Sequence, residues 1–154
     1  MAAVSLFHQR SPYRWHVDRF VAAHLPRGWG LRGLDVGGPS PQPRPRAQEW
    51  ESINPTYSDE IRCKLSDYAL YHFGYAEDLG TFPDAEFDIV QCTDCLYLVA
   101  DVPKALREMH RVLRPCGTLV ATAPCVWPPA GPADWGRWPK ARWEAVLSVA
   151  GFED

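Results

Sequence analysis

The stretch Leu34-Asp35-Val36-Gly37-Gly38 puts an acid and two glycines where a short apolar segment ends. Glycine has no Cβ, so a backbone turning there can approach a ligand closely. A helix opening after the turn would aim its first amides at an anion. The same residues equally describe an ordinary turn at a strand end, and alone they do not choose. A nicotinamide site needs G-x-G-x-x-G opening a helix, with an acid roughly 20 residues on. Here residues 37–42 read GGPSPQ: the third glycine is missing and prolines stand where the helix would start. That disfavours a dinucleotide. Cys92-Thr-Asp-Cys95 is the second constellation, since a CxxC pair can hold zinc or cycle between dithiol and disulfide. Zinc would want a second, well-spaced pair, and Cys63, Cys116 and Cys125 each stand alone. His8, His16, His24, His72 and His110 share no ligand spacing. His110, beside Arg111 in a helical pattern, reads as a solvated or capping group.

These residues must be held by elements, and the elements alternate. From a Ser11 cap and Pro12 in the first turn, Trp15, Val17, Phe20, Val21 and Leu25 form a broad apolar stripe that predicts a helix. GLRGLDV (residues 30–36) reads as a buried strand carrying Leu31, Leu34 and Val36. EWESI (Glu49 to Ile53) alternates as a second strand ending at Asn54-Pro55. A short helix from Ser58 follows, then a third strand, Tyr68 to Phe73. EFDIVQC (residues 86–92) is a strand after the Pro83-Asp84 turn. Val102, Leu106, Met109, Val112 and Leu113 mark a helix that Pro115 stops. GTLVATA (residues 117–123) is a strand, and PKARWEAVLSVAGF ends the chain as a helix with Gly151 as its stop. Alternation of this kind predicts a parallel sheet covered by helices on both faces, an α/β fold. In such sheets ligands sit beyond the carboxyl ends of the strands.

Composition sets outer bounds. A chain of 154 residues, 46% hydrophobic and 23% charged, is one domain able to bury a core: an N-terminal helical segment over 1–28 and a sheet-bearing core over 29–154. Net charge is −3, and no basic stripe interleaves with aromatics, so electrostatics do not favour nucleic acid. MAAVSLF is too short for a signal-peptide core, and no apolar run could span a bilayer. An odd cysteine count without a secretory signal points to a reducing, cytoplasmic setting. Fifteen prolines and seven tryptophans imply stiff, aromatic-walled loops. Trp127, Trp135 and Trp138 follow a strand's carboxyl end, where a substrate would enter.

The run from Ala76 to Pro124, AEDLGTFPDAEFDIVQCTDCLYLVADVPKALREMHRVLRPCGTLVATAP, resembles the class I S-adenosylmethionine-dependent methyltransferases, in particular their small-molecule, type 11 branch. REMHRVLRPCG followed by TLVATAP is its most specific part. The tail DWGRWPKARWEAVLSVAGFED (residues 134–154) resembles the family's tryptophan-arginine loop, helix and closing AGF. With LDVGG in front, the likeness runs over roughly residues 29 to 154 and implies a Rossmann-like fold. It implies S-adenosylmethionine as cofactor, with Asp35, Gly37 and Gly38 after the first strand and Asn54 after the second. Ala76, Glu77 and Asp78 after the third strand, and Cys92 and Thr93 closing the fourth, complete the implied cofactor site. Asp94 would lie beside the methyl group, orienting an acceptor, holding the methionine moiety, or simply capping the loop before the helix at Asp101. Tyr13 and Trp15 would fold over the cofactor.

The departures are as specific as the likeness. Pro39 and Pro41 stand where the family's loop has glycines, removing two backbone amides, although some members use a proline-bearing turn. The proline run Pro39 to Pro45 reads as a stiff, extended crossover. Asn54 replaces the acid that grips the ribose, keeping one acceptor and one donor but no charge. Tyr75 replaces the acid that meets the adenine amino group, and Cys116 replaces a glycine of the helix-closing turn. The family's final antiparallel strand pair is absent after residue 154. The strand over residues 118–123 would then need cover from a longer chain, a homodimer or other partner, or the N-terminal segment. Two functions stay open: methyl transfer to a small-molecule acceptor, and a non-catalytic methyltransferase-like partner or scaffold.

Overall fold

The computed structural model describes residues 12–38, 49–56, 70–124, 131 and 134–153, with side chains from Trp15 onward. Helix α1 (Pro12–His24) leads into strands β1 (Arg32–Val36), β2 (Glu49–Asn54), β3 (Leu70–Phe73) and β4 (Phe87–Thr93). A 3-10 turn (Leu96–Leu98), helix α2 (Val102–Val112), strand β5 (Leu113–Thr122) and helix α3 (Lys140–Val149) follow. Ser11, the Ser58 helix, the Pro39–Pro45 run and Trp127 lie outside the described residues.

All five strands are parallel, in the order β3-β2-β1-β4-β5. This is a doubly wound, Rossmann-like order, and its direction reverses between β1 and β4. Strand alternation sends Leu34, Val36, Ile53, Val90 and Cys92 into the larger core, against α2 and, more loosely, α3. The opposite face is covered by α1, whose Val17, Val21 and Leu25 meet Trp50, Ile89 and Val120. Helices therefore flank both faces. The apolar stripe of α1 is narrower than its sequence suggests: Trp15 and Phe20 stay exposed, because only the Val17–Val21–Leu25 strip reaches the sheet. Strand β2 buries consecutive residues, Trp50 to Ile53, rather than alternate ones, because β1 and β3 flank it and both of its faces are covered.

Helix α2 buries Val102, Ala105, Leu106, Met109 and Val112 at helical spacing, and Asp101 caps it by accepting from the Lys104 amide at 3.0 Å. The chain leaves the helix at Leu113, before Pro115, and passes directly into β5. Between Phe87 opposite Leu113 and Ile89 opposite Thr118, β5 spends more residues than β4, and Cys116 there takes φ +65°. Helix α3 closes as Gly151, at φ +99°, lets the Phe152 amide return to the Leu147 carbonyl at 3.1 Å. His110 packs edge-on against Phe152 at that turn, with ring centroids 5.1 Å apart.

Among the described residues no strand pairs with the outer side of β5, and α1 packs on its face rather than across its edge. A groove of about 750 Å³ runs along Gly117–Ala121 between Phe20 and His24 on one side and Leu147 and Phe152 on the other. No described helix is long and apolar enough to cross a membrane.

Candidate cofactor cleft

The carboxyl ends of β1, β2 and β4 open into one cleft of about 330 Å³. Gly37 enters it from β1, Asn54 from β2, Ala76 and Glu77 from the segment after β3, and Asp94 from the end of β4. Five of the residues implied by the sequence thus converge from four separate stretches of chain.

Each is held by local chemistry. Gly37 has φ +81°, and its amide donates to the Ile53 carbonyl at 2.9 Å, tying the turn to β2. A Cβ at Gly37 would fall 2.4 Å from the Cys95 sulfur, so glycine is required twice over, by backbone angle and by space. The Asn54 side-chain amide donates to the Gly38 carbonyl, and its oxygen accepts from the Thr56 amide at 2.7 Å. That Asx turn explains Asn-Pro-Thr after a strand. The amide that could have served a ribose is engaged with the chain on both its donor and acceptor sides. The Glu77 carboxylate accepts from the Ala100 and Asp101 amides at 3.1 and 3.4 Å, joining the post-β3 segment to the start of α2.

Asp94 sits at φ +52°. Its amide donates to the Thr122 carbonyl at 3.0 Å, and the Thr122 hydroxyl donates to its carboxylate at 3.0 Å. The cap of α2 is Asp101, and Asp94 braces the ends of β4 and β5. Beside it, burial and then the charge of Asp94 push the Tyr97 phenol above its ordinary range, keeping it a neutral donor. Arg137 lies over the Tyr97 ring at 4.5 Å and pairs with Asp134 at 2.6 Å, while the Trp135 amide donates to the Tyr97 carbonyl at 2.8 Å. The 134–137 segment is thereby pinned to the 3-10 turn.

The other implied residues lie outside the cleft. Asp35 is fully buried on the α1 side of β1, and Gly38 closes over it: a Cβ there would fall 2.4 Å from the Asp35 carboxylate. Asp78 is exposed and lines a separate hollow with Phe73 and Gly80. Cys92 is buried in the core beneath the cleft. Thr93 is buried toward α1, its hydroxyl without a hydrogen-bond partner among the described residues. Trp15 does not line the cleft and instead carries Arg19 over its ring at 4.6 Å, and the Tyr13 side chain lies outside the described residues. Tyr75 does line the cleft, although it is largely exposed.

The cleft wall also holds Cys95, marked in the sequence only as half of a CxxC pair, and Thr56, Leu98 and Val99, which the sequence does not mark. Thr56 was within reach only as the third residue of an Asx turn. Leu98 and Val99 carry no signal beyond being apolar.

Residues 51–121 match the protein family described as a methyltransferase domain. Over that stretch, just under half of its length, the chain is similar to the class I S-adenosylmethionine-dependent methyltransferases. S-Adenosylmethionine is the cofactor that family uses. Over 73 residues it is 53% identical to the ubiquinone/menaquinone biosynthesis C-methyltransferase UbiE of Vibrio vulnificus, a match covering 44% of this chain and 28% of that enzyme. In fold it resembles a chain from the complex of the Haloferax volcanii Trm112 methyltransferase activator with a methyltransferase. The TM-score is 0.71 at 22% identity, over 89% of this chain and 68% of that one. It also resembles the [4+2]-cyclase SpnF, with a TM-score of 0.69 at 23% identity, over 94% of this chain and 60% of that one.

Proposed function

We propose that this chain binds S-adenosylmethionine in the cleft at the ends of β1, β2 and β4 and transfers its methyl group to a small, partly apolar acceptor. The observation that carries this reading is the convergence of Gly37, Asn54, Ala76, Glu77 and Asp94 at the point where strand order reverses. The residues suit the group. Gly37 lines the cleft at a tight turn, and about 330 Å³ falls in the range of small-molecule sites. Asp94 places an acidic side chain on the wall of a cleft whose ligand would carry a sulfonium cation.

The cofactor supplies an already activated methyl group on sulfur, so the protein's task is alignment more than acid–base chemistry. Gly37 and Asn54 fix the floor, since the Asn54 amide locks the glycine turn to β2. Asp94, braced by Thr122, places a carboxylate on the wall beside the transfer point, where it orients the acceptor and takes a proton if the acceptor must lose one. The Tyr97 phenol, kept neutral, offers a hydrogen bond near the same place. Trp135 presents an exposed aromatic face on the segment pinned to Tyr97. With a net charge of −3, this chemistry favours a small acceptor over nucleic acid.

A second reading rests on a specific observation. The Asn54 amide and the Glu77 carboxylate already serve the chain's own backbone, as they would in a methyltransferase-like partner protein that has given up the cofactor. The fold does not decide between the two, since the same architecture carries SpnF, a [4+2]-cyclase.

Calorimetric titration with S-adenosylhomocysteine separates the readings. The expected result is binding that Gly37→Ala weakens by at least tenfold. Gly30→Ala, which imposes a comparable backbone penalty at φ +71° but meets no atom within 4 Å, should leave binding intact. Absence of binding at millimolar cofactor would favour the second reading.

A further inference from the structure

Methyl transfer makes no use of the Cys92–Cys95 pair, and the fold holds it in an unusual place. Cys92 is fully buried at the end of β4, and Cys95 is half-buried on the cleft wall. The turn at Asp94, with φ +52°, brings Cys95 back against the apolar cluster that holds Cys92, and each thiol shifts the titration of the other. Both thiols are free. The Cys95 sulfur lies directly under Gly37, 2.4 Å from where a Cβ would be. Among the described residues no group of three or more His, Cys, Asp or Glu could hold a metal ion. The hydrogen bond to Cys92 draws the Cys95 thiol below its ordinary range. The same bond, with burial, pushes Cys92 up. Cys95 is therefore the more nucleophilic member as well as the accessible one.

We propose that Cys92 and Cys95 are a redox modification site, closing to a disulfide when a peroxide enters the cleft and reshaping the cleft beneath Gly37. The Cys95 thiolate attacks one peroxide oxygen: an S–O bond forms, the O–O bond breaks, and the other oxygen leaves as hydroxide, taking a proton to become water. Cys95 is then a sulfenic acid. The Cys92 sulfur attacks that of Cys95; the S–S bond forms, the S–O bond breaks, and the Cys92 proton departs with the hydroxyl as a second water. Two thiols lose two electrons, and one peroxide gains them. A dithiol reductant reverses the change by exchange. A disulfide holds its sulfurs at about 2.05 Å, well inside a hydrogen-bonded contact. Because Cys92 is held within β4, closure would draw the Cys95 sulfur from its place under Gly37. The effect on the cofactor rests on the methyltransferase reading.

The test uses the full chain, reduced, treated with hydrogen peroxide, and treated then re-reduced with dithiothreitol. Remaining thiols are alkylated, linkages are mapped by mass spectrometry of a non-reducing digest, and each form is titrated with S-adenosylhomocysteine. The expected result is a Cys92–Cys95 linkage with affinity at least tenfold weaker, restored by dithiothreitol, while Cys95→Ser shows one affinity before and after peroxide. A treated chain without that linkage, or one that has it and binds with unchanged affinity, would overturn the proposal. A reduced chain that binds no cofactor would instead sink the methyltransferase reading. The linkage map would then still decide whether the disulfide forms.

Discussion

Cys116 holds φ +65° in the irregular first half of β5, and its side chain is exposed. A residue with a Cβ pays roughly 1–2 kcal/mol in that region, and little packing is lost by removing an exposed side chain. Part of the gain on substitution by glycine is returned through the freer unfolded chain. Cys116→Gly is therefore expected to stabilise the protein by about 0.5–1 kcal/mol, read as a higher midpoint in urea unfolding with an unchanged slope. This position was legible beforehand, because a glycine is what the resembling sequences place there. The use made of Asn54 was not. Its partners, the Gly38 carbonyl and the Thr56 amide, come together only when the ends of β1 and β2 lie side by side, and no spacing in the chain encodes that meeting.

At the scale of elements, one arginine couples α2 to the segment that enters the cleft. Arg111 donates to the carbonyls of Phe82 and Leu79 at 3.0 and 2.9 Å and pairs with Asp84 and Glu108 at 2.7 and 2.8 Å. Glu108 also accepts from the Leu79 amide at 2.9 Å. Arg111→Ala leaves two carbonyls and a half-buried carboxylate short of a donor, a loss of about 2 kcal/mol, measurable as a lower unfolding midpoint. Arg111 also holds the Glu108 carboxyl below its ordinary range, even against burial. A depressed carboxylate contributes stability that is present above its unfolded pKa and lost as pH falls through its folded one. Stability should therefore decline on acidification from about pH 5 downward, and Arg111→Ala should flatten that decline. An acid limb equally steep in the variant would contradict this assignment.

The buried spacing of α2 was readable because all of its apolar positions meet one core. The stripe of α1 was over-read, since periodicity shows which residues share a face but not how much of that face a neighbour covers. The short strands were legible where β-branched and apolar residues cluster. The direct passage from α2 into β5 at Leu113 was not, because Pro115 disguised a strand that had already begun.

For the whole molecule, alternation of strand and helix carried the parallel architecture, and the doubly wound order follows from short connections and a fixed hand. The cleft was half legible. Residues following strands were the right ones to examine, yet Asp35, Cys92 and Thr93 point into the two cores while Gly37 and Asp94 turn outward. A one-residue difference in strand exit decides between core and cleft, and sequence does not register it. In the proposed function one cleft, walled by Gly37, Asn54, Glu77 and Asp94, holds S-adenosylmethionine. A crystal structure of the chain grown with S-adenosylhomocysteine tests it most directly. Density for the nucleoside is expected between Gly37, Asn54 and Glu77, with the sulfur toward Asp94. Density elsewhere on the molecule, or a cleft left unchanged at saturating ligand, would contradict it.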